Sequence, residues 1–225
     1  MTYRELINEV LIRLRETTIA SDWSGALNNS TVVSDYHKVI GALVNDSKRS
    51  IESYNDWMAL RETVTFNTIV GTKNYNLSAG QEFKVIDVIN QSTGNQLVQV
   101  SKSYLNRERY PTDATGEPHY YGFNGTDSSN NLKVDLSPVP STVQAIAFDI
   151  VKYQDSLTTA GSILKIPSKP VILGAYARAI AERGEDGGTQ SSLAAQEAAS
   201  SISQAVMVDS GNAQFESDWY IGNKY

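Results

Sequence analysis

The sequence predicts an α+β fold: an antiparallel helical bundle of about four helices with an antiparallel β block inserted into it. Three observations carry this. Apolar residues recur three and four apart in residues 1–60 and again beyond residue 166, the period of one helix face. Residues 62–154 instead alternate and are rich in Val, Ile and Thr, the period of half-buried strands. Pro167 and Pro170 stand where the helical pattern returns, and proline is tolerated in a first helical turn.

The first helix begins at Thr2. Thr2 and Glu5 have the T-x-x-E spacing of a capping box, which satisfies two otherwise unpaired backbone N–H groups. Leu6, Ile7, Val10, Leu11 and Leu14 share one face, and the helix fades by Thr17. Residues 19–30 read as a polar, turn-like connection. Ser30 or Thr31 is the expected cap of a second helix whose apolar spacing persists to Leu60, a span of about 45 Å at roughly 1.5 Å per residue. Gly41 and Asn55 with Asp56 are its weak points, and Trp57 is expected to pack on its last turn.

The β block should hold six to eight strands. ETVTFNTIV runs to a turn at Gly71, and Tyr75 and Leu77 begin the return. FKVIDVINQ and QLVQVS are joined through Ser92, Thr93, Gly94 and Asn95, a good hairpin turn. SKSYLNRERY is a short helix, and HYYGFNG and NLKVDLS flank a polar hairpin loop. Pro138 and Pro140 in LKVDLSPVPS cannot donate to a ladder. They predict a rigid hairpin turn between a strand ending at Leu136 and one starting near Val143.

Ser168 is the expected cap of the next helix, which is dense in small residues (Gly174, Ala175, Ala177, Ala179, Ala181) and ends at Gly184. A last helix starts at Thr189 or Ser191. The expected organisation is a helical domain of residues 1–61 and 166–207, an inserted β domain of 62–165 and an extended tail of 208–225. That tail lacks a helical period but carries Phe215, Trp219, Tyr220, Ile221 and Tyr225. Aromatic residues dominate interface hot spots, so these five are the candidate partner-binding residues, against the plainer reading of a tail packed on its own domain.

Composition excludes several chemistries. With no cysteine, the chain has no disulfide framework, thiolate nucleophile or thiolate metal site. Its two histidines, His37 and His119, have no nucleophile–acid set beside them, and Asp35 and His37 are two apart on a helix, a poor chelate. No phosphate-loop or nucleophile-elbow sequence occurs. The expectation is no catalytic residue, no cofactor and no metal. A net charge of −6 argues against a broad grip on nucleic-acid phosphates. No apolar run is long enough to cross a membrane, and the charged N-terminal helix is unlike a secretory signal.

The order of motifs resembles a family. A helix of MTYRELINEVLIRL type precedes a long helix ending NDWMALRETVTF; then come Gly71, Tyr75 and Leu77 as G-x-x-x-Y-x-L, and the FKVIDVI strand. Pro118, Tyr121 and Gly122 follow as P-x-x-Y-G, then LKVDLSPVPS, VKYQDSL and KIPSKPVILGAYARAIAERGED. This set, over residues 1–206, resembles the head–tail adaptor (connector) proteins of short-tailed and related bacteriophages, the group that includes tail tubular protein A. It departs from their Leu-Pro at Leu77 and Ser78. The resemblance implies a non-enzymatic structural protein of the virion neck, made in the host cytoplasm. It implies a homo-oligomeric ring, typically a dodecamer, whose channel passes double-stranded DNA without reading its sequence. The ring would sit between the portal protein and the tail nozzle, its wall built from the second and third long helices, with the β block towards the tail. On this reading the aromatic tail orders on the portal or on a neighbouring subunit. The competing classes are a tail-associated peptidoglycan hydrolase, restricted here to carboxylate chemistry, and a carbohydrate-binding tail component, which glycan binding by the β block would favour; separately, Asn55, Asp56 and Trp57 could be read as a sugar platform, against the plainer reading of Trp57 as packing.

Overall fold

The computed structural model of the 225-residue chain describes residues 1–108, 113–184 and 188–212. The helices are α1 (Tyr3–Arg13), α2 (Asp35–Glu52), α3 (Lys102–Glu108), α4 (Ser168–Arg183) and α5 (Thr189–Asn212). The strands are β1 (Arg61–Asn67), β2 (Asn74–Asn76), β3 (Phe83–Asn90), β4 (Asn95–Gln96), β5 (Val98–Gln99), β6 (Thr115–Gly116), β7 (Tyr120–Thr126), β8 (Leu132–Ser137), β9 (Val139–Pro140) and β10 (Ala145–Lys152). The fold is mixed α+β. The chain divides into two compact units: Met1–Leu60 with the described residues from Gln154 onward, and Arg61–Tyr153.

In the helical unit, α1 starts as its sequence dictates. Thr2 Oγ1 accepts from the Glu5 amide at 3.3 Å, and Glu5 Oε2 accepts from the Thr2 amide at 2.8 Å. Tyr3, Leu6, Ile7, Val10 and Leu11 form its buried face.

The second helix is shorter than expected at both ends. Its cap is Ser34, neither Ser30 nor Thr31, because Ser34 Oγ accepts from the His37 amide (3.3 Å) while His37 Nδ1 accepts from the Ser34 amide (3.4 Å). At the other end the apolar spacing of Tyr54, Trp57 and Met58 comes from a turn, not from helix. Trp57 folds back so that its indole N–H donates to the Ile51 carbonyl at 2.8 Å, and Met58–Leu60 is a single 3-10 turn. Trp57 is 1 % exposed, so it serves as core and not as a sugar platform. Gly41 is no weak point either. A Cβ there would sit 2.3 Å from a Leu27 methyl and 2.6 Å from the Tyr3 hydroxyl.

Residues 19–30 were expected to be a polar connection, yet Ile19, Trp23 and Leu27 are buried. Distant groups hold them. Asn8 brackets the Ile19 backbone with bonds of 3.0 and 2.8 Å, and the Thr158 carbonyl accepts from Trp23 Nε1 at 3.2 Å and from the Leu27 amide at 3.0 Å. Long-range partners of this kind leave no local periodicity to read.

Helix α4 packs on α1, α2 and α5, and α1 packs on α2. Ser168 proves to be its first helical residue, with Pro167 in the cap position and no side-chain cap bond. Gly184 ends it at φ 65°, the left-handed conformation that glycine adopts without penalty. The small residues of α4 let helices approach: a Cβ on Gly174 would meet Ser47 Oγ of α2 at 2.3 Å.

The β unit is two four-stranded sheets, ordered β1-β10-β3-β4 and β2-β8-β7-β5, with a small β6-β9 pair. Pairing is antiparallel except for the two-residue parallel contacts β5–β7 and β6–β9. Side chains from both sheets make one core. Phe148 and Ile146 of β10 and Val88 of β3 meet Tyr75, Tyr121, Val134 and Leu136 of the other sheet. Phe66 stacks on Tyr75 at 4.9 Å, and Tyr121 meets Phe148 edge-on at 5.3 Å.

Two expected hairpins are not hairpins. β1 and β2 lie in different sheets, as do β8 and β10. The two-proline stretch after β8 therefore carries the chain from one sheet to the other, and Val139–Pro140 pairs in parallel with Thr115–Gly116 on the way. Proline can occupy that strand because β9 is an edge with one neighbour. The β3–β4 and β7–β8 hairpins and the helix at Lys102–Glu108 match the sequence reading.

Candidate functional site

The two histidines have different surroundings. His37 is a helix cap, and its other nitrogen, Nε2, donates to the Thr17 carbonyl at 3.0 Å. His119 is exposed, with its backbone bonded to Val98 and Ser137. Among the described residues no group of three or more His, Asp or Glu is placed to hold a metal ion. No helix among them is long and apolar enough to cross a membrane.

The most unusual ionised group is a buried pair. Lys48 Nζ donates to both Glu52 carboxylate oxygens at 3.1 Å and also to the Gln154 carbonyl, and the two side chains are 2 % and 0 % exposed. Glu52 Oε1 also accepts from the Gln154 amide at 3.2 Å. Burial pushes Lys48 below the ordinary ammonium range and Glu52 above the usual carboxylate range, with their mutual attraction opposing both shifts. The pair pins the chain at Gln154 to the last turn of α2. It is enclosed, and its bonds are to this backbone and to each other. The sequence signal for it was the i,i+4 Lys–Glu spacing on an otherwise apolar face.

Helix α5 lies on α4 along a narrow stripe of Ala194, Ala198 and Ser201, while Leu193, Met207 and Val208 stand exposed. In residues 189–208 the sole charged side chain is Glu197. A helix facing only water normally carries many charges on its outer face, and this face carries few. The helix continues through residues 208–212, where extended chain was expected. Its last turns are tied down: Asp209 accepts from Asn55 Nδ2 at 3.0 Å and from the Met58 amide at 3.3 Å. The candidate binding residues Phe215, Trp219, Tyr220, Ile221 and Tyr225 lie outside the described residues. What the structure supplies is the anchored helix from which they continue.

The model of the family described as SU10 adaptor protein matches residues 1–217. The chain belongs to the SU10 adaptor family. This is a family of bacteriophage adaptors, structural components of the virion whose role is to join other virion proteins. No curated protein matches the chain. The adaptor expectation drawn from motif order thus agrees with the family match, and the match extends past α5 into the aromatic tail.

Proposed function

We propose that this adaptor, of the tail tubular protein A type, forms a closed ring, a dodecamer, between the portal protein and the tail nozzle. Its channel retains and then passes the double-stranded genome. The observation that carries the reading is the adaptor family match over residues 1–217. Two features support it. The net charge of −6 suits a conduit, since a neutral or acidic wall avoids trapping phosphates. The exposed face of α5, with Leu193, Met207 and Val208 around the single charge of Glu197, offers a side-to-side contact of the kind a ring requires. Helix α4 was expected to share that wall, but half of its residues, Val171, Leu173 and Ile180 among them, are buried within its own unit. The wall is therefore assigned to α2 and α5, and the β unit to the tail side.

The tail beyond Asn212 is proposed to bind the portal or a neighbouring subunit through Phe215, Trp219, Tyr220, Ile221 and Tyr225. Deleting residues 213–225 leaves α5 whole. The expected result is a folded chain, by circular dichroism and thermal melting, that no longer co-sediments with purified portal. Undiminished portal binding by the truncated chain contradicts the assignment.

A further inference from the structure

Three arginines meet at one end of the helical unit. Arg13 ends α1, Arg15 stands two residues on, and Arg183 ends α4. With Tyr176, Ile180 and Gln190 they line a recess of about 470 Å³ that has no carboxylate among its described lining residues. Arg183 is engaged: its Nε donates to Tyr36 Oη at 2.9 Å, and its Nη2 to Glu16 Oε1 at 2.5 Å in the adjoining recess. Arg13 and Arg15 are exposed, and no described residue pairs with either guanidinium. The first turn of α5 holds Gln190 and no acid, so the positive end of that helix adds to the same field.

Arg15 also holds an unfavourable conformation. Its φ of 59° is left-handed. Its amide donates to the Ile12 carbonyl at 3.0 Å, and the Glu16 amide to the Leu11 carbonyl at 2.9 Å. That pair of bonds closes a helix with glycine in the left-handed position, and a side chain there carries strain that glycine avoids. Gly184 takes the position in α4, whereas α1 has an arginine. Arg13 alone would complement the α1 dipole. A second guanidinium at a strained position, lining one recess with a third from another helix, makes an anion site. Guanidinium forks match carboxylates in shape as well as charge.

We propose that this recess receives the Glu216 and Asp218 carboxylates from the C-terminal segment of a second copy of this chain. The inference deepens the partner-binding role proposed for that segment and rests on it. Glu216 and Asp218 are the charged residues between Asn212 and Lys224, set as F-E-S-D-W between Phe215 and Trp219. Guanidinium groups pair with carboxylates and stack on aromatic rings, so the segment matches the recess in both respects. Chain length makes the contact one between copies. Gln190 and Asn212 stand about 33 Å apart along α5 at roughly 1.5 Å per residue. Fully extended chain carries Glu216 at most about 14 Å from Asn212 and Asp218 about 21 Å, short of their own recess even before the chain reverses. Donor segment and recess belong to opposite ends of α5. A contact between two different patches is heterologous, the type that closes into rings.

The test titrates a labelled peptide of residues 213–225 into the full chain and into purified portal protein. Wild type should bind the peptide saturably, and added salt should weaken the binding. R13E/R15E, melting as wild type does, should bind it at least tenfold more weakly. A peptide carrying E216K and D218K needs no change in the folded chain. It should lose as much on wild type and regain affinity for R13E/R15E. Equal affinity of the native peptide for wild type and R13E/R15E overturns the proposal, as does a reversed peptide that fails to tell the two chains apart. A lower melting temperature of R13E/R15E with unchanged peptide affinity assigns the arginines to their own chain instead. Peptide binding to the portal alone overturns this contact and leaves the segment its partner-binding role, whereas binding to neither ends both readings.

Discussion

Asp209, near the end of the last described helix, accepts a hydrogen bond from Asn55 at 3.0 Å across 154 positions of sequence. The same carboxylate accepts from the Met58 amide, which begins the 3-10 turn. One side chain thus caps a turn at one end of the helical unit and fixes the root of the C-terminal segment. Replacing Asp209 with Ala should cost about 1 kcal/mol, the usual size of a lost cap. Faster exchange of the Met58 amide should accompany it. An unaltered exchange rate contradicts the capping role.

The Lys48–Glu52 pair predicts strong non-additivity. Lys48→Met leaves Glu52 buried beside an apolar chain, and Glu52→Leu leaves Lys48 likewise. Each should cost about 3–5 kcal/mol. The double variant removes both charges and leaves only the Gln154 backbone groups unpaired, at about 1–3 kcal/mol each. A double-mutant cycle by urea unfolding should therefore show the double losing less than the sum of the singles. Additive losses would mean the two charges do not depend on each other.

Gly174 and Ser47 test the close approach of α2 and α4. Alanine favours a helix over glycine by about 1 kcal/mol. At Gly174, however, the added Cβ would lie 2.3 Å from Ser47 Oγ, which already donates to the Val171 carbonyl. Overpacking of a tight core costs about 1–3 kcal/mol, so Gly174→Ala should lower the melting temperature. Combining it with Ser47→Ala removes the clashing oxygen, and the pair should be more stable than Gly174→Ala alone.

Acid stability should follow the hydrogen-bonded carboxylates of the β unit. Bonds from Thr93 and Asn95 hold Glu117 below the usual carboxylate range, and backbone N–H donation from Asn131 does the same for Asp127. A carboxylate depressed on folding stabilises above its unfolded pKa, and that contribution is lost as pH falls through the folded value. Glu52 runs the other way. Its raised value favours folding at low pH and is lost as pH rises through it. Between about pH 5 and about pH 2, E117Q and D127N should each lose less stability than the wild type. An identical acid limb in E117Q, D127N and wild type contradicts the assignment.

Much of the architecture was legible along the chain because its causes are local. The capping box at Thr2, the glycine at 184, the turn before Asn95 and the switch of period near Arg61 each act over a few residues, and each stands where expected. The second helix ends short of its apolar spacing because Trp57 mimics that spacing while folding back onto Ile51, and it begins late because His37 completes a cap at Ser34. The segment at Ile19, Trp23 and Leu27 shows no periodicity because its partners lie outside it, Asn8 on the first helix and Thr158 some 135 positions from Trp23. Motif order along the chain was enough to suggest the adaptor family, since order survives where single motifs are weak.

The sequence by itself determined the helical and strand-bearing regions, where the first helix begins and the fourth ends, and that thiol chemistry is absent. Tertiary structure alone decided which strands share a sheet. The two-proline stretch after Leu136 looks like a turn, and only the pairing of β8 and β10 into different sheets reveals a crossing. Tertiary structure also decided which apolar residues remain outside. Ile69, Val70 and Val143 have the composition of core, and exposure depends on what the rest of the chain leaves uncovered. Local propensity acts through neighbouring backbone groups, whereas burial and sheet partnership are settled by contacts among residues distant in sequence.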